Sequence, residues 1–498
     1  MVVARGQGKP SCMGAAARGP GCRGRRPETR NGPGAAAVGW GRLFRRHDDE
    51  LNKKGPDKVG QSPICTAPFT GVVIDTHKGI RPCCSWDDLY FGNLGNETLS
   101  AILAGARWAE LKEDHLRGVW PKGCLNCRER EEQTGWSLRQ SYIPRDVSLG
   151  GSTGCYFSPH WDKGLTYLEL NSTNLCNLAC IHCTGAFSTR WLPEEQRMER
   201  DGRHFEGHGR GGRDGMRYQT HEVHLPDNRL LLDNLAGIDL DRLAFVNLKG
   251  GEPMLNSDVK VLLGFLRSKG ILPQVEVHVS TNGTLTDAEI LEGLACARRV
   301  RIWLSVDGSG PVQEYIRFGD SSIGVIERTI AECTRLGNVE FGLCTSVMPY
   351  NIFSLERIYE WWRSLPKKFR GRARFLEPSF SLMITVPAYL SVRCLQDATR
   401  RRLAAYYERL DRGSRQEGGM EPLGLAGLAR RAYGLVRAGR RRSRRRGPYA
   451  DVVTMLEQPY LGDDLHNRFV EYTLAMDEYR GTRILEVAPE LEDEMVIL

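Results

Sequence analysis

The sequence predicts an α/β fold built on parallel strands, and three observations predict it. Six β-prone segments recur at the spacing of strand–helix units: LTYLEL (165–170), LAFVNLK (243–249), VEVHVS (275–280), IWLSV (302–306), FGLCTSV (341–347) and RARFLE (372–377). Helix-compatible stretches such as 258–268 and 287–298 lie between them. Several strands also run into polar or glycine-bearing ends, Gly250-Gly251-Glu252-Pro253, Thr281-Asn282-Gly283 and Asp307-Gly308. In a parallel barrel those ends form the ligand-binding face.

The regions before the first strand carry the charge and much of the cysteine. The chain has 498 residues, 69 Lys+Arg, 61 Asp+Glu, 15 Cys and a formal net charge of +8. Residues 1–60 hold 13 basic and 5 acidic side chains, which accounts for the whole excess and leaves 56 of each in the remaining 438. A neutral body removes the bulk-charge case for a polyanionic partner. The 1–60 stretch is rich in Gly, Arg, Ala and Pro, has no apolar period, and is expected to be a disordered tail. GAAAVGW within it is too short and glycine-rich for the core of a secretory signal. No run of about 18 apolar residues occurs, so neither a transmembrane helix nor a membrane partner is expected. Without a secretion signal, the cysteines read as metal or redox ligands of a cytoplasmic protein.

Eight cysteines fall into two groups. Cys65, Cys83, Cys84, Cys124 and Cys127 lie upstream, and Cys176, Cys180 and Cys183 follow the first strand as CxxxCxxC in NSTNLCNLACIHC. Three thiolates from one loop would hold three corners of a cubane iron–sulfur cluster and leave the fourth iron open to a substrate or cofactor. A structural zinc site would want a fourth protein ligand, and His182, next to Cys183, is poorly placed to supply it. Downstream, LAFVNLK reads as a buried strand whose paired glycines allow the backbone to approach a ligand closely, with Pro253 stopping the strand. The expanded connection RDGRHFEGHGRGGRDG (200–215) reads as a lid or a solvated loop, and His204, His208, His221 and His224 form no metal motif. A second basic run, 430–446, contains nine arginines and no acid. It reads as a solvated face or as a site for an acidic peptide or RNA.

Taken together, CxxxCxxC after the first strand, GGEP after the second, STNG after the third and SVDG after the fourth resemble, in order, the radical S-adenosylmethionine (SAM) superfamily. The resemblance implies a partial (βα)6 TIM-like barrel over 160–395 with a SAM-binding 4Fe-4S cluster on Cys176, Cys180 and Cys183. It implies that one electron from this cluster cleaves SAM to methionine and a 5′-deoxyadenosyl radical, which abstracts hydrogen from a substrate. By the same resemblance, Gly250, Gly251 and Glu252 hold the SAM amino group. Ser280, Thr281, Asn282, Ser305 and Asp307 contact ribose or the methionyl carboxylate, and 347–351 lines the adenine. Arg317, in the YIR element after SVDG, pairs with the SAM carboxylate or serves structure. His182 stands where the superfamily often has an aromatic residue.

The upstream segment, with CTAPF from Cys65, the hairpin GVVID-THKG-IRPCC, a Trp108-bearing helix and GCLNC, resembles the twitch module, a shortened SPASM domain, over 61–145. That resemblance implies an auxiliary iron–sulfur cluster, of 4Fe-4S type, on Cys65, Cys83, Cys124 and Cys127, with Cys84 the alternative to Cys83. A zinc ribbon uses similar ligand pairs. SLRQ (137–140) and the terminal FVEYTLAMDEYRGTRILEVAPEL look like the same branch, and the remaining 396–498 is expected to be helical. The family includes maturases of ribosomally made peptides and dehydrogenases or epimerases of small sugars or cyclitols. The expected partners are such a peptide or small molecule and an electron donor such as flavodoxin or ferredoxin. An epimerase would use a thiol to return hydrogen, and Cys344 at the end of the fifth strand is the candidate. The reading outside enzymes is a zinc-stabilised nucleic-acid-binding protein using the arginine runs.

Overall fold

The structure, a computed structural model, describes residues 65–75, 79–134, 137–140, 142, 164–205, 228–417 and 447–498. The 1–60 tail, the 430–446 arginine run, Cys12, Cys22, Cys155, and His208, His221 and His224 lie outside the described residues.

Among the described residues, nine strands form the central sheet. In chain order the strands of the fold are β1 (Gly71–Ile74), β2 (Gly79–Arg81), β3 (Gly92–Asn93), β4 (Tyr167–Leu170), β5 (Ala179–Cys180), β6 (Phe245–Leu248), β7 (Glu276–Thr281), β8 (Arg299–Ser305), β9 (Arg317–Phe318), β10 (Val339–Cys344), β11 (Ser346–Val347), β12 (Arg374–Phe375) and β13 (Leu382–Met383). The sheet order is β12-β10-β8-β7-β6-β4-β1-β2-β3, while β5 pairs with β9 and β11 with β13 in two small ribbons. All six expected segments are present as β4, β6, β7, β8, β10 and β12, side by side in chain order and parallel. Helices intervene, as parallel crossovers require. RARFLE contributes only the two residues of β12.

Local chemistry accounts for the units. Helix Ser257–Ser268 starts at Asn256, whose side chain accepts from the Asp258 amide, and buries Val259, Leu262, Leu263 and Leu266, one stripe at helical spacing. Helix Ala288–Ala295 is capped in the same way by Asp287, so the expected 287–298 helix begins on its cap and ends three residues early. Along β4, β6, β7 and β8 alternate residues Leu168, Leu170, Val246, Leu248, Val277, Val279, Val300, Ile302 and Leu304 enter one core with these helices. The other face is polar. Strand register places Glu169, Asn247, His278, Arg301 and Glu340 in one row across it, with His278 2.8 Å from Glu276 and Arg301 3.0 Å from Glu340. A closed barrel packs apolar layers there, so this sheet presents a charged inner wall.

The hairpin of the upstream cysteine region is part of the same sheet. β1 pairs antiparallel with β2, as read, and also pairs parallel with β4, with Gly71 opposite Tyr167 and Ile74 opposite Leu170. Val72 and Ile74 are fully buried in the common core beside Leu168 and Leu170. Two further long helices, Asp397–Glu417 and Asp463–Arg480, follow the sixth strand. No helix among the described residues is long and apolar enough to cross a membrane.

Because Ile74 belongs to this shared core, Ile74→Ala is expected to cost about 2–5 kcal/mol and to shift a single cooperative unfolding transition in urea followed by circular dichroism. Two separated transitions would show that β1 is not integral to the sheet.

Candidate functional site

Parallel order delivers the ends of β4, β6, β7, β8 and β10 to one edge of the sheet, and the cysteine loop sits there. Cys180 lies in β5, paired in register with Arg317 of β9. Cys183 closes a turn by donating its amide to the Cys180 carbonyl at 2.8 Å. Burial pushes the Cys176 thiol up to about 12, with repulsion from Cys180 adding to it. It pushes Cys183 well above the usual thiol range, reinforced by Cys180 and then Cys176. The three thiols are therefore close enough to oppose one another's ionisation. Side-chain N–H donors reach two of the sulfurs, Arg317 Nη1 at 3.6 Å from Cys180 Sγ and Asn282 Nδ2 at 3.9 Å from Cys176 Sγ.

Gly250-Gly251-Glu252 acts as a staple between β6, β7 and the loop. Both glycines have positive φ, 84° and 47°. A Cβ on Gly250 would lie 1.8 Å from Asn171 Oδ1, and one on Gly251 would lie 2.1 Å from the Leu175 carbonyl, just before Cys176. Only glycine meets both demands. Glu252 donates its amide to the Leu175 carbonyl at 2.8 Å. Its carboxylate, fully buried, accepts from Thr281 Oγ1 (2.7 Å), the Asn282 amide (2.8 Å) and the Met254 amide (3.1 Å). Burial raises its pKa against those bonds. The Glu252 side chain is thus committed to positioning, leaving its motif's backbone for a ligand. Asn282 bonds Asn177 at 2.8 Å within the cysteine loop.

Asp307, at the end of β8, is fully buried and pairs with Arg317 at 2.7 Å. Its other oxygen accepts from the Ser346 amide at 2.7 Å. Arg317 therefore bridges Asp307 and Cys180. Burial pulls the His182 imidazole down to about 4, so it is neutral at neutral pH, with Nε2 3.8 Å from Asp307 and Nδ1 buried without a hydrogen-bond partner. Ser280, Ser305 and Cys344 are half-buried on the inner face, with Ser305 opposite Cys344 in register. Cys344 is pushed up by burial and by Asp307. The stretch 347–351 is buried, with Asn351 Nδ2 donating to the Asp307 carbonyl at 2.8 Å.

The upstream thiols form a second group. Trp86 lies against Gly123, where a Cβ would be 2.5 Å from its ring, and Asp87 donates its amide to the Gly123 carbonyl at 3.0 Å. These contacts bring the segment after Cys83 to Cys124. Burial raises Cys65, with Cys124 and Cys127 opposing its charge; burial also raises Cys83, with Cys84, Cys65 and Cys127 opposing. Cys124 is raised by burial, then Cys83 and Cys127. Cys84 has other surroundings: it is raised by burial and then by Glu169, and lowered by Lys249 and Arg81. The two residues lie in the bend and turn that follow β2, where Cys83 packs with Cys65 while Cys84 faces Glu169 and Lys249. There Lys249 lies 3.3 Å from Glu169, which also accepts from Tyr167 and Asn247.

Sequence reading missed several residues that hold these groups. His115 Nε2 sits 3.8 Å from Cys124 Sγ. Trp191 Nε1 donates to the Cys180 carbonyl at 2.9 Å, and the Tyr472 hydroxyl to the Ile181 carbonyl at 2.6 Å. Side chains aimed at backbone carbonyls leave no motif; the only available signal was the family-like look of the terminal segment.

Among the described residues, no three His, Cys, Asp or Glu side chains form a ready-made metal cage. The donor chemistry nevertheless fits an iron–sulfur group. Three desolvated thiols on one loop resist ionisation together, which a polycation relieves, and two N–H donors already address their sulfurs.

A mostly parallel α/β sheet with a three-thiol loop, a diglycine staple and a buried Asp–Arg pair at its strand ends marks an α/β protein with a candidate cofactor site at that edge. Residues 170–361 match the model of the radical SAM superfamily, and residues 65–128 match that of the iron–sulfur cluster-binding domain SPASM. The chain thus carries a radical SAM domain and a SPASM-type module, and together these imply iron–sulfur clusters and SAM binding. It is 28% identical over 192 residues to the AdoMet-dependent heme synthase of Methanosarcina barkeri, covering 38% of this chain and 45% of that one. It is 24% identical over 185 residues to the mycofactocin maturase MftC of Mycolicibacterium smegmatis, covering 37% and 38%. The match thus spans less than half the length of these curated relatives. Among solved structures, native anSMEcpe with bound AdoMet aligns with 16% identity, TM-score 0.33, over 51% of this chain and 62% of that one. Streptococcus suis SuiB bound to precursor peptide SuiA aligns with 15% identity, TM-score 0.30, over 64% and 67%.

Three substitutions test the arrangement. Gly251→Ala is expected to remove most of the iron bound at the barrel loop, because its Cβ displaces Leu175. Cys83→Ala is expected to lower iron per chain while Cys84→Ala leaves it unchanged; equal losses would contradict the separation of the two thiols.

Proposed function

We propose that this chain is a radical SAM oxidoreductase or maturase with two iron–sulfur clusters. The observation that carries this reading is the gathering of Cys176, Cys180 and Cys183 at the strand-end edge, under the Arg317–Asp307 pair and the diglycine staple. A SAM-binding 4Fe-4S cluster on those thiols would supply the electron that cleaves SAM to the 5′-deoxyadenosyl radical, the species that abstracts hydrogen from substrate. The chain's own residues do the rest. The backbone of Gly250 and Gly251 offers close approach to the SAM amino group, while Glu252, Thr281 and Asn282 keep that backbone against the cysteine loop. Ser280 and Ser305, half-buried on the inner face, would contact ribose or carboxylate. Arg317, paired with Asp307, holds a positive charge beside Cys180 and leaves the pair neutral overall. The buried 347–351 segment forms the wall toward adenine. His182, neutral and with a buried Nδ1, offers an imidazole face in place of the family's usual aromatic residue.

Cys65, Cys83, Cys124 and Cys127 are proposed to hold an auxiliary cluster, of 4Fe-4S type, that four protein thiolates would close, which suits electron transfer rather than substrate chelation. The substrate is proposed to be a ribosomally synthesised peptide, a reading supported by the likeness to a mycofactocin maturase. The second reading, a small-molecule substrate, is supported by the likeness to a heme synthase. In a small-molecule epimerase Cys344, on the inner face, is the thiol placed to return hydrogen. Flavodoxin or ferredoxin is the proposed class of electron donor and the cytoplasm the proposed location.

Anaerobic incubation with SAM and dithionite is expected to yield 5′-deoxyadenosine from the wild type and none from Cys176→Ala. Wild-type protein that carries iron yet forms no 5′-deoxyadenosine would reject the mechanism. Protein that retains zinc and lacks visible iron–sulfur absorbance would favour the nucleic-acid-binding alternative.

A further inference from the structure

The β5–β9 ribbon is two residues long on each side, too short to persist by its own pairing. What surrounds it comes from the far end of the chain. Helix Asp463–Arg480 buries Phe469, Val470, Tyr472, Thr473 and Met476 against the barrel. Tyr472, fully buried, donates its hydroxyl to the carbonyl of Ile181, which lies between Cys180 and His182. One residue on, Thr473 shares a 2.8 Å hydrogen bond with the hydroxyl of Tyr350 in the buried 347–351 segment. At the helix end Arg480 lies between two rings, with its guanidinium carbon 4.8 Å from the centroid of Trp191 and 4.8 Å from that of Phe318. Trp191 is the residue that donates to the Cys180 carbonyl, and Phe318 is the β9 residue opposite Ala179. The Arg480 side chain is 2% exposed and pairs with Glu194 at 2.8 Å. Asp477 completes the helix end, accepting from the Thr482 hydroxyl and the Ile484 amide at 2.9 Å each.

These contacts share one target. Tyr472 takes the backbone just after Cys180, Trp191 takes the Cys180 carbonyl itself, and Arg480 clamps Trp191 to the strand that bears Arg317. A buried tyrosine hydroxyl requires a partner, and here it is a carbonyl of the cysteine loop. A guanidinium stacked between two rings and paired with a carboxylate is a rigid spacer, because its plane is fixed on both faces.

We propose that helix Asp463–Arg480 is part of the cofactor site, with Tyr472 and Arg480 as positioning residues that hold the cysteine loop in the shape that retains its iron–sulfur group. This rests on the reading of Cys176, Cys180 and Cys183 as ligands. Neither residue touches the thiols, so the effect falls on retention of the group and on the environment of Cys180, and only through these on turnover.

Full-length wild type, Tyr472→Phe, Arg480→Ala and Arg480→Lys are reconstituted anaerobically. Iron and sulfide per chain, the rate of iron release to a chelator and the electron paramagnetic resonance spectrum of dithionite-reduced protein, with and without SAM, are then measured. SAM-dependent spectral change reports the barrel loop in the presence of the auxiliary thiols. Tyr472→Phe is expected to release the SAM-responsive iron about fivefold faster, the factor corresponding to one net hydrogen bond. Arg480→Ala is expected to exceed that, and Arg480→Lys, which keeps charge but not the plane, to recover only part of it. Circular dichroism melting of Tyr472→Phe, the least disruptive change, separates local loosening from unfolding. Release rates and spectra equal to wild type in all three variants would overturn the assignment of the helix. Wild-type protein that loads no SAM-responsive iron would instead overturn the reading of the three cysteines on which it rests.

Discussion

The Arg317–Asp307 pair is the interaction on which the arrangement of the site depends. Both side chains are nearly inaccessible, and a buried charge pair is costly unless further hydrogen bonds meet its remaining polar atoms. Asp307 is met by the Ser346 amide, and its backbone is held by Gln313 and Asn351. Arg317 is met at Nη1 by Cys180, while its buried Nε has no hydrogen-bond partner. The pair therefore ties together the end of β8, the start of β11, the β9 residue and the cysteine loop. Removing either partner would leave an uncompensated charge in the interior, a far larger cost than the pair itself contributes.

Much of this was legible in the sequence, for a physical reason. The thiol spacing, the diglycine after a buried strand and the polar strand ends are local requirements, each imposed by chemistry within a few residues. Gly251 is an example: its φ and its approach to Leu175 exclude any side chain, so the residue type discloses the constraint. Strand order followed from the same locality, since successive β/α units become neighbours. What was not legible is what depends on distance along the chain. The choice between Cys83 and Cys84 turns on which way a short segment faces, and composition cannot say. Which groups Arg317 meets, Asp307 and Cys180, depends on packing that its local sequence does not state. The contact of Tyr472 with Ile181 spans 291 positions and uses a carbonyl, which every residue has.

The polar inner face fits the same picture. A parallel sheet closed into a barrel fills itself with branched apolar side chains, whereas here Glu169, Asn247, His278, Arg301 and Glu340 occupy one level, with Asn247 donating to Glu169, Arg301 paired with Glu340, and Glu276 and Lys249 from neighbouring levels pairing with His278, Arg301 and Glu169. Lys249, Ser280, Trp303, Ser305 and Cys344 stand nearer the strand ends and remain partly accessible.

The parallel pairing of β1 with β4 has a consequence for how the chain could be shortened or rearranged. An auxiliary module joined by a linker can be removed, and the barrel it served closes over nothing. Here removal of the upstream segment would strip the pairing partner from β4 and turn an interior strand into a border with open amides and carbonyls along Tyr167–Leu170. Such a border recruits strands from other molecules. The cysteine-rich region therefore serves this fold as its edge guard, whatever it carries on its thiols, and a version of the barrel without it would face a solubility problem before it faced a catalytic one.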